Sequence, residues 1–302
     1  MQFKLLATAL NLIISVVIGV LVPRILGPAS YGEYSYIVST YAFLLNLLML
    51  TSGIAYVYFL SHGKYKIEDI NMFYMIFLGV VSFFVLFIAV ITINSNFGIK
   101  YLWNGIDNKY YLYLGLIFGL LINFQLRLIE FGDSTNQTIK SEKTKLASKF
   151  LLGLAVIVFI FINKLNLYWF FILSIISLSI FIRLFFNYIS FKISKIDIKV
   201  FKVIFKDFYV YLQPLIIFTV IANIYAYIGK YVLQFSGGSV QQGYYNFAFQ
   251  LALIPVIFVG SIMNIYMSEM TKKFKENDVS GVKEIFENNI FKIYAVHAFI
   301  SF

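Results

Sequence analysis

The sequence predicts an all-α polytopic membrane protein, and three observations lead there. Hydrophobic residues make up 61% of the 302-residue chain and charged residues 13%. Soluble domains carry roughly 25% charge, and a soluble fold of this size has too little interior to hide so much apolar surface. Second, the apolar residues fall in runs of about 20 or more, long enough for membrane helices and twice the length of alternating barrel strands. Third, the lysines cluster on alternate connections between those runs. The absence of cysteine excludes a disulfide scaffold.

Taken in order, the runs predict spans at Leu5–Val22, Tyr34–Leu60, Met72–Ile93, Tyr110–Phe131, Leu146–Ile162, Leu167–Tyr188, Phe208–Phe235 and Tyr244–Ser268. A ninth begins near Asn289 and is cut off at Phe302. The first is longer than a secretory signal core and reads as a retained helix. The connection 163–166 is short enough to make spans five and six a tight antiparallel hairpin.

With the N-terminus in the cytoplasm, 16 Lys residues lie inside: Lys4, Lys64 and Lys66, the cluster from Lys140 to Lys149, that from Lys192 to Lys206, and Lys272 to Lys283. Only Arg24, Lys100, Lys109 and Lys164 lie outside. The net charge of +10 is thus expected to mark topology rather than a nucleic-acid site. Arg127, Arg183, Lys230 and Lys292 remain, in or at the ends of spans.

An internal repeat joins two turns. Adding 211 maps Gly27 onto Gly238, Gly32 onto Gly243, Tyr34 onto Tyr245, Tyr36 onto Phe247 and Ser39 onto Gln250. Six spans separate the copies, an even number, so both face the same way, as in a parallel transporter repeat. The expectation is two six-helix lobes: residues 1–207 as the first, and 208–302 as the beginning of the second, in a chain that stops inside its ninth helix.

Polar stripes at helical spacing point toward protein or water rather than lipid. Span one carries Lys4, Thr8, Asn11, Ser15 and Gly19; span two carries Ser35, Ser39, Asn46 and Gly53. Span four carries Gly115, Gly119, Asn123, Arg127 and Glu130. Span seven carries Thr219, Asn223, Tyr227, Lys230 and Gln234, and span eight Asn246, Gln250, Ser261, Asn264 and Ser268. Helix packing accounts for the small residues as readily as a cavity does. Arg127 and Glu130, three apart, share a face and can pair. Arg24 sits at the outer mouth of span one, and Arg183 reads as a snorkelling anchor. Pro214 and Pro255 are expected to kink spans seven and eight. No nucleophile elbow, phosphate loop or metal-ligand spacing occurs, and His62 and His297 stand apart. Neither an enzyme, a cofactor nor a metal is expected.

At Arg24-Ile25-Leu26-Gly27-Pro28 and Tyr31-Gly32-Glu33-Tyr34 the chain resembles the Wzx-type polysaccharide flippases of the multidrug/oligosaccharidyl-lipid/polysaccharide exporter superfamily. The stretch Gly243-Tyr244-Tyr245-Asn246-Phe247-Ala248, Pro255 and Ile265-Tyr266-Met267-Ser268-Glu269 are similar to the second-half counterpart. Many relatives have an acid on span seven where this chain has Gly229-Lys230. The resemblance implies a bacterial inner-membrane carrier that moves undecaprenyl-diphosphate-linked oligosaccharide to the outer leaflet by alternating access. Membrane lipids, a polysaccharide polymerase and a chain-length regulator would be its partners, in O-antigen or capsule synthesis. The expected polar and cationic cavity comprises Asn11, Arg24, Asn46, Asn123, Arg127, Asn223, Lys230, Asn246 and Gln250, with Glu130 the candidate for ion coupling. A membrane glycan polymerase or transferase and a MATE-like small-molecule exporter are the alternatives. The second would want buried acids on spans one, two, seven and eight, which carry none away from their ends.

Overall fold

The computed structural model describes the backbone of residues 2–275 and 278–290, and the side chains of 10–253 with a few between 270 and 287. The ninth span beyond residue 290 and the side chains of Lys4, Thr8, Ser261, Asn264 and Ser268 lie outside the described residues. Nine α-helices run through the described part: α1 Gln2–Met49, α2 Ser52–His62, α3 Ile67–Asn94, α4 Asn96–Tyr101, α5 Lys109–Ser134, α6 Thr138–Phe161, α7 Leu167–Tyr188, α8 Ile198–Lys275 and α9 Val279–Glu284. A π-helical turn, Ile285–Ile290, follows. Six of them, α1, α3, α5, α6, α7 and α8, are long and apolar enough to cross a membrane. Their exposed surface is apolar, as a lipid-facing surface must be: Phe83 and Phe87 on α3, Phe150 and Phe161 on α6, and Ile217, Phe218 and Tyr225 on α8 all face outward.

Two expected spans lie in α1 and two in α8, joined without a loop. α1 bends at Gly27 (φ 76, ψ 166) and α8 at Gly238 (φ 67, ψ −172). Glycine alone takes this left-handed φ without a steric penalty, so the helix changes direction within one residue. Gly238, not Pro214, is where the dihedrals of α8 leave the helical region.

The second span is not continuous. Leu50 (φ 45) and Thr51 (φ 63) both sit in the left-handed region and separate α1 from α2. Neither is glycine, and such a conformation costs about 1–2 kcal/mol per residue. It is held by a tertiary contact: the Thr51 hydroxyl bonds that of Thr219 on α8. No sequence pattern announces it, because no Gly or Pro falls at the break.

Several helices also begin earlier than their apolar runs. α3 starts at Ile67, α6 at Thr138 and α8 at Ile198, where hydropathy places Met72, Leu146 and Phe208. Hydropathy senses the apolar part of a helix; polar first turns such as Glu68-Asp69 extend it unseen. The α6–α7 hairpin forms as expected. Asn163 takes the left-handed φ of 52° and Asn166 caps α7, accepting from Trp169 N at 3.0 Å.

The main core joins α2, α3, α5, α7 and the second arm of α1, with Tyr36, Tyr41, Tyr56, Tyr74, Phe131 and Phe181 fully buried. Tyr56 stacks on Tyr74 at 4.1 Å and donates to Asn71 Oδ1 at 2.8 Å. Gly115 and Gly119 on α5 have no room for a Cβ against Ile37 and Tyr41 of α1. That part of the α5 stripe is a packing seam.

Candidate functional site

The repeat is a physical junction. Gly32 lies against the backbone carbonyl of Ser239, and Gly243 against that of Pro28, so closely that a Cβ on either glycine would overlap the facing backbone. These two contacts are one contact written twice. Adding 211 turns Gly32 into Gly243 and Pro28 into Ser239. The kink glycines Gly27 and Gly238 obey the same offset. So do two side-chain bonds: Ser35 Oγ donates to Tyr31 O at 2.7 Å, and Asn246 Nδ2 to Gln242 O at 2.8 Å. Self-complementary contact of this sort is what a two-fold axis produces, here an approximate one relating α1 to α8.

Two seams flank the junction. In the first, α1 before Gly27 meets α8 after Gly238, and a Cβ at Gly19 would stand 3.3 Å from Gln250 Oε1. In the second, α1 after Gly27 meets α8 before Gly238. There Lys230 Nζ donates to Ser39 Oγ at 2.9 Å, and Tyr227 Oη bonds Thr40 Oγ1 at 2.9 Å and donates to Tyr36 Oη at 3.2 Å. Offset by 211, Gly19 is the equivalent of Lys230 and Gln250 of Ser39. The seams occupy equivalent places with different contents.

Beside the first seam lies a cavity of about 490 Å³, walled by α1, α5, α6, α7 and α8. Ser15, Gln125, Lys145, Ser148, Lys149 and Gln250 line it among apolar side chains such as Val20, Phe118, Leu152 and Phe170. Glu142 is buried nearby, within 3.6 Å of Lys145 and 3.5 Å of the Asn11 amide that donates to it. Lys149 donates to Ser15 Oγ.

A third polar place is the pair Arg127–Glu130, with Nη1 and Oε2 2.8 Å apart. It sits against Gly53 of α2, where the guanidinium occupies the space a Cβ would take. The absent side chain at Gly53 is thus what admits the ion pair.

The ten residues singled out from sequence fall into separate places. Lys230 and Asn223 lie on the second seam; Asn223 is half-buried and donates to Thr219 O at 2.8 Å. Asn46 is exposed. Asn11 and Gln250 flank the cavity, and only Gln250 of the ten lines it. Arg127 and Glu130 form their pair, with Asn123 buried one turn away. Asn246 is buried at the junction and bonds its own helix, while Arg24 is exposed. The stripes therefore do not converge on one chamber.

Lys145, Lys149, Glu142 and Gln125 escaped sequence reading. Lys145 looks like a loop cation while α6 is started at Leu146, and Lys149, inside that expected span, is grouped with the cytoplasmic cations. Once it begins at Thr138, Glu142, Lys145 and Lys149 fall on one face at three- and four-residue steps. That spacing was the available signal. Comparison with protein-family models, with curated proteins and with solved structures finds no match to this chain.

Proposed function

We propose that this protein is a lipid-linked oligosaccharide flippase of the bacterial inner membrane. It carries an undecaprenyl-diphosphate-linked glycan from the cytoplasmic to the outer leaflet by alternating access. The observation that carries the reading is the reciprocal packing of Gly32 on Ser239 and Gly243 on Pro28. Parallel repeats related by an axis along the membrane normal are one of the two repeat designs of secondary carriers, and the turns that meet here hold the residues that resemble the Wzx-type flippases. Two six-helix lobes, an N-terminus in the cytoplasm and a role beside a polysaccharide polymerase belong to the same proposal.

The chemistry is compatible with that cargo. A hydroxyl-rich glycan with a diphosphate needs amide and hydroxyl partners together with fixed cations. The second seam supplies Ser39, Thr40, Tyr227 and Lys230. The glycine junction gives the two arms a narrow backbone-to-backbone contact about which they can rock, with the seams opening on either side. In a strain lacking the gene, wild-type protein should restore surface glycan, while Lys230→Ala and Arg127→Glu should not. Normal glycan with both variants removes the cationic-site argument. Purified protein that lengthens or hydrolyses a lipid-linked glycan would replace transport with glycan transfer.

A further inference from the structure

The cavity beside Gly19 takes no part in the proposed transport step, and its chemistry names a ligand class. Lys149 lies three residues past Leu146, where the apolar run of α6 begins, and its side chain lines the cavity. A lysine within the apolar part of a membrane helix is costly unless it meets a polar partner or a water-filled space. Its ammonium spends one N–H on Ser15 and forms no ion pair with a carboxylate among the described residues. Glu142 is already engaged by Lys145 and Asn11. Lys145, Lys149 and Glu142 together leave one net positive charge at this end of the cavity.

Much of the remaining wall is hydrocarbon. Val20, Val22, Leu152, Phe170 and Leu178 line the space, with Ser174, Ser177 and Gln250 among them. Its volume of about 490 Å³ lies within the roughly 300–1,000 Å³ of small-molecule sites. One cationic end and one apolar body match a molecule with one anionic end and one apolar body.

We propose that this cavity binds a single-chain anionic amphiphile, with the anion on Lys149 and the hydrocarbon chain along Val20 and Leu152. Both a fatty acid and a single-chain lipid phosphate have this chemistry. The site lies within the α1–α5–α6–α7 group and is closed by α8 at Gln250 and Leu251. It is distinct from Lys230 and the second seam, and the proposal stands whether or not the protein moves glycans.

The test uses the full chain in phosphatidylcholine nanodiscs, with dodecyl phosphate, dodecanoate and dodecanol as probes and binding read by native mass spectrometry. Loss of one charge-assisted hydrogen bond weakens binding by about tenfold or more. The expected result is that wild type prefers either anion over dodecanol by that factor, and that Lys149→Met removes the preference. Lys149→Arg should keep it, which separates lost charge from lost fold. Tighter dodecyl phosphate would identify a lipid phosphate as the natural class, and tighter dodecanoate a fatty acid. Equal binding of dodecanol and both anions, or an unchanged preference in Lys149→Met, overturns the proposal. Glycan export in the Lys149→Met strain is a separate readout, so failure of transport and failure of this site are distinguishable.

Discussion

The two seams beside the glycine junction are built on equivalent positions, yet a cavity lies beside one and hydrogen bonds lace the other. On the laced side α8 contributes Tyr227, Lys230 and Tyr231; on the cavity side the equivalent α1 positions are Val16, Gly19 and Val20. The larger set reaches across to Ser39, Thr40 and Tyr36 and closes the seam with hydrogen bonds. The smaller set has no polar side chain to do so, and the cavity beside it takes its other walls from α5, α6 and α7. Approximate symmetry of the backbone thus fixes where the seams are, and the side chains decide which one is laced by hydrogen bonds. Packing interiors tolerate little empty space unless something fills it.

This comparison can be broken first at the junction itself. Gly32→Val and Gly243→Val each drive a side chain into facing backbone, which has no flexible end to yield. Both should cost at least about 3 kcal/mol, at the top of the overpacking range, and by nearly equal amounts. Fluorescence-detected size exclusion after heating would show the loss. A large effect at one glycine with none at the other would end the two-fold description.

The next effect is on the laced seam. Lys230→Gly imitates Gly19, removing the bond to Ser39 and leaving a void. It should cost about 2–3 kcal/mol in the same assay. The reverse change on the cavity side, Gly19→Ala, meets only the tip of the flexible Gln250 side chain and should be close to neutral.

Smaller again is the change at Gly53. Alanine there must expel the Arg127 guanidinium, at about 1–2 kcal/mol. In an Arg127→Ala background the same substitution should be nearly free, and a double-mutant cycle measures the difference.

The smallest effect lies outside both seams. Asp278 caps α9 through Gly281 N at 2.8 Å, with Ser280 at 2.8 Å and Lys273 at 3.1 Å also donating to it. These donors, the backbone N–H first, hold its carboxyl down at about 2. A depressed carboxylate stabilises the fold at pH above its unfolded value, and that contribution fades as pH falls toward about 2. The protection factor of the Gly281 amide should therefore be unchanged between pH 7 and pH 5, fall below about pH 4, and be lower in Asp278→Asn at pH 7.

Much of the helical layout was legible. The α7 bounds, the α6–α7 hairpin and the Arg127–Glu130 pair follow from apolar run length and three-residue spacing. The kinks at Gly27 and Gly238 were legible only as turns, since local sequence does not reveal that two helices continue through a single left-handed residue. The site was less legible, because a polar stripe gives a direction on one helix and no partner. Asn11 and Lys230 look alike as stripe members, yet one meets Glu142 and the other Ser39. Lys145 was hidden by a helix start placed eight residues late, and Lys149, already inside the expected span, by being grouped with the loop cations.

The sequence by itself determined the helices, their apolar faces and the 211-residue repeat, because hydrophobic period, glycine position and self-similarity are properties of the chain. Tertiary structure alone decided that the two repeat turns touch, that the second span breaks at Leu50 and Thr51, and that Lys149 lines a cavity rather than a loop. Each depends on a partner more than 100 residues away, Ser239, Thr219 or Ser15, and no local preference can specify such a distance.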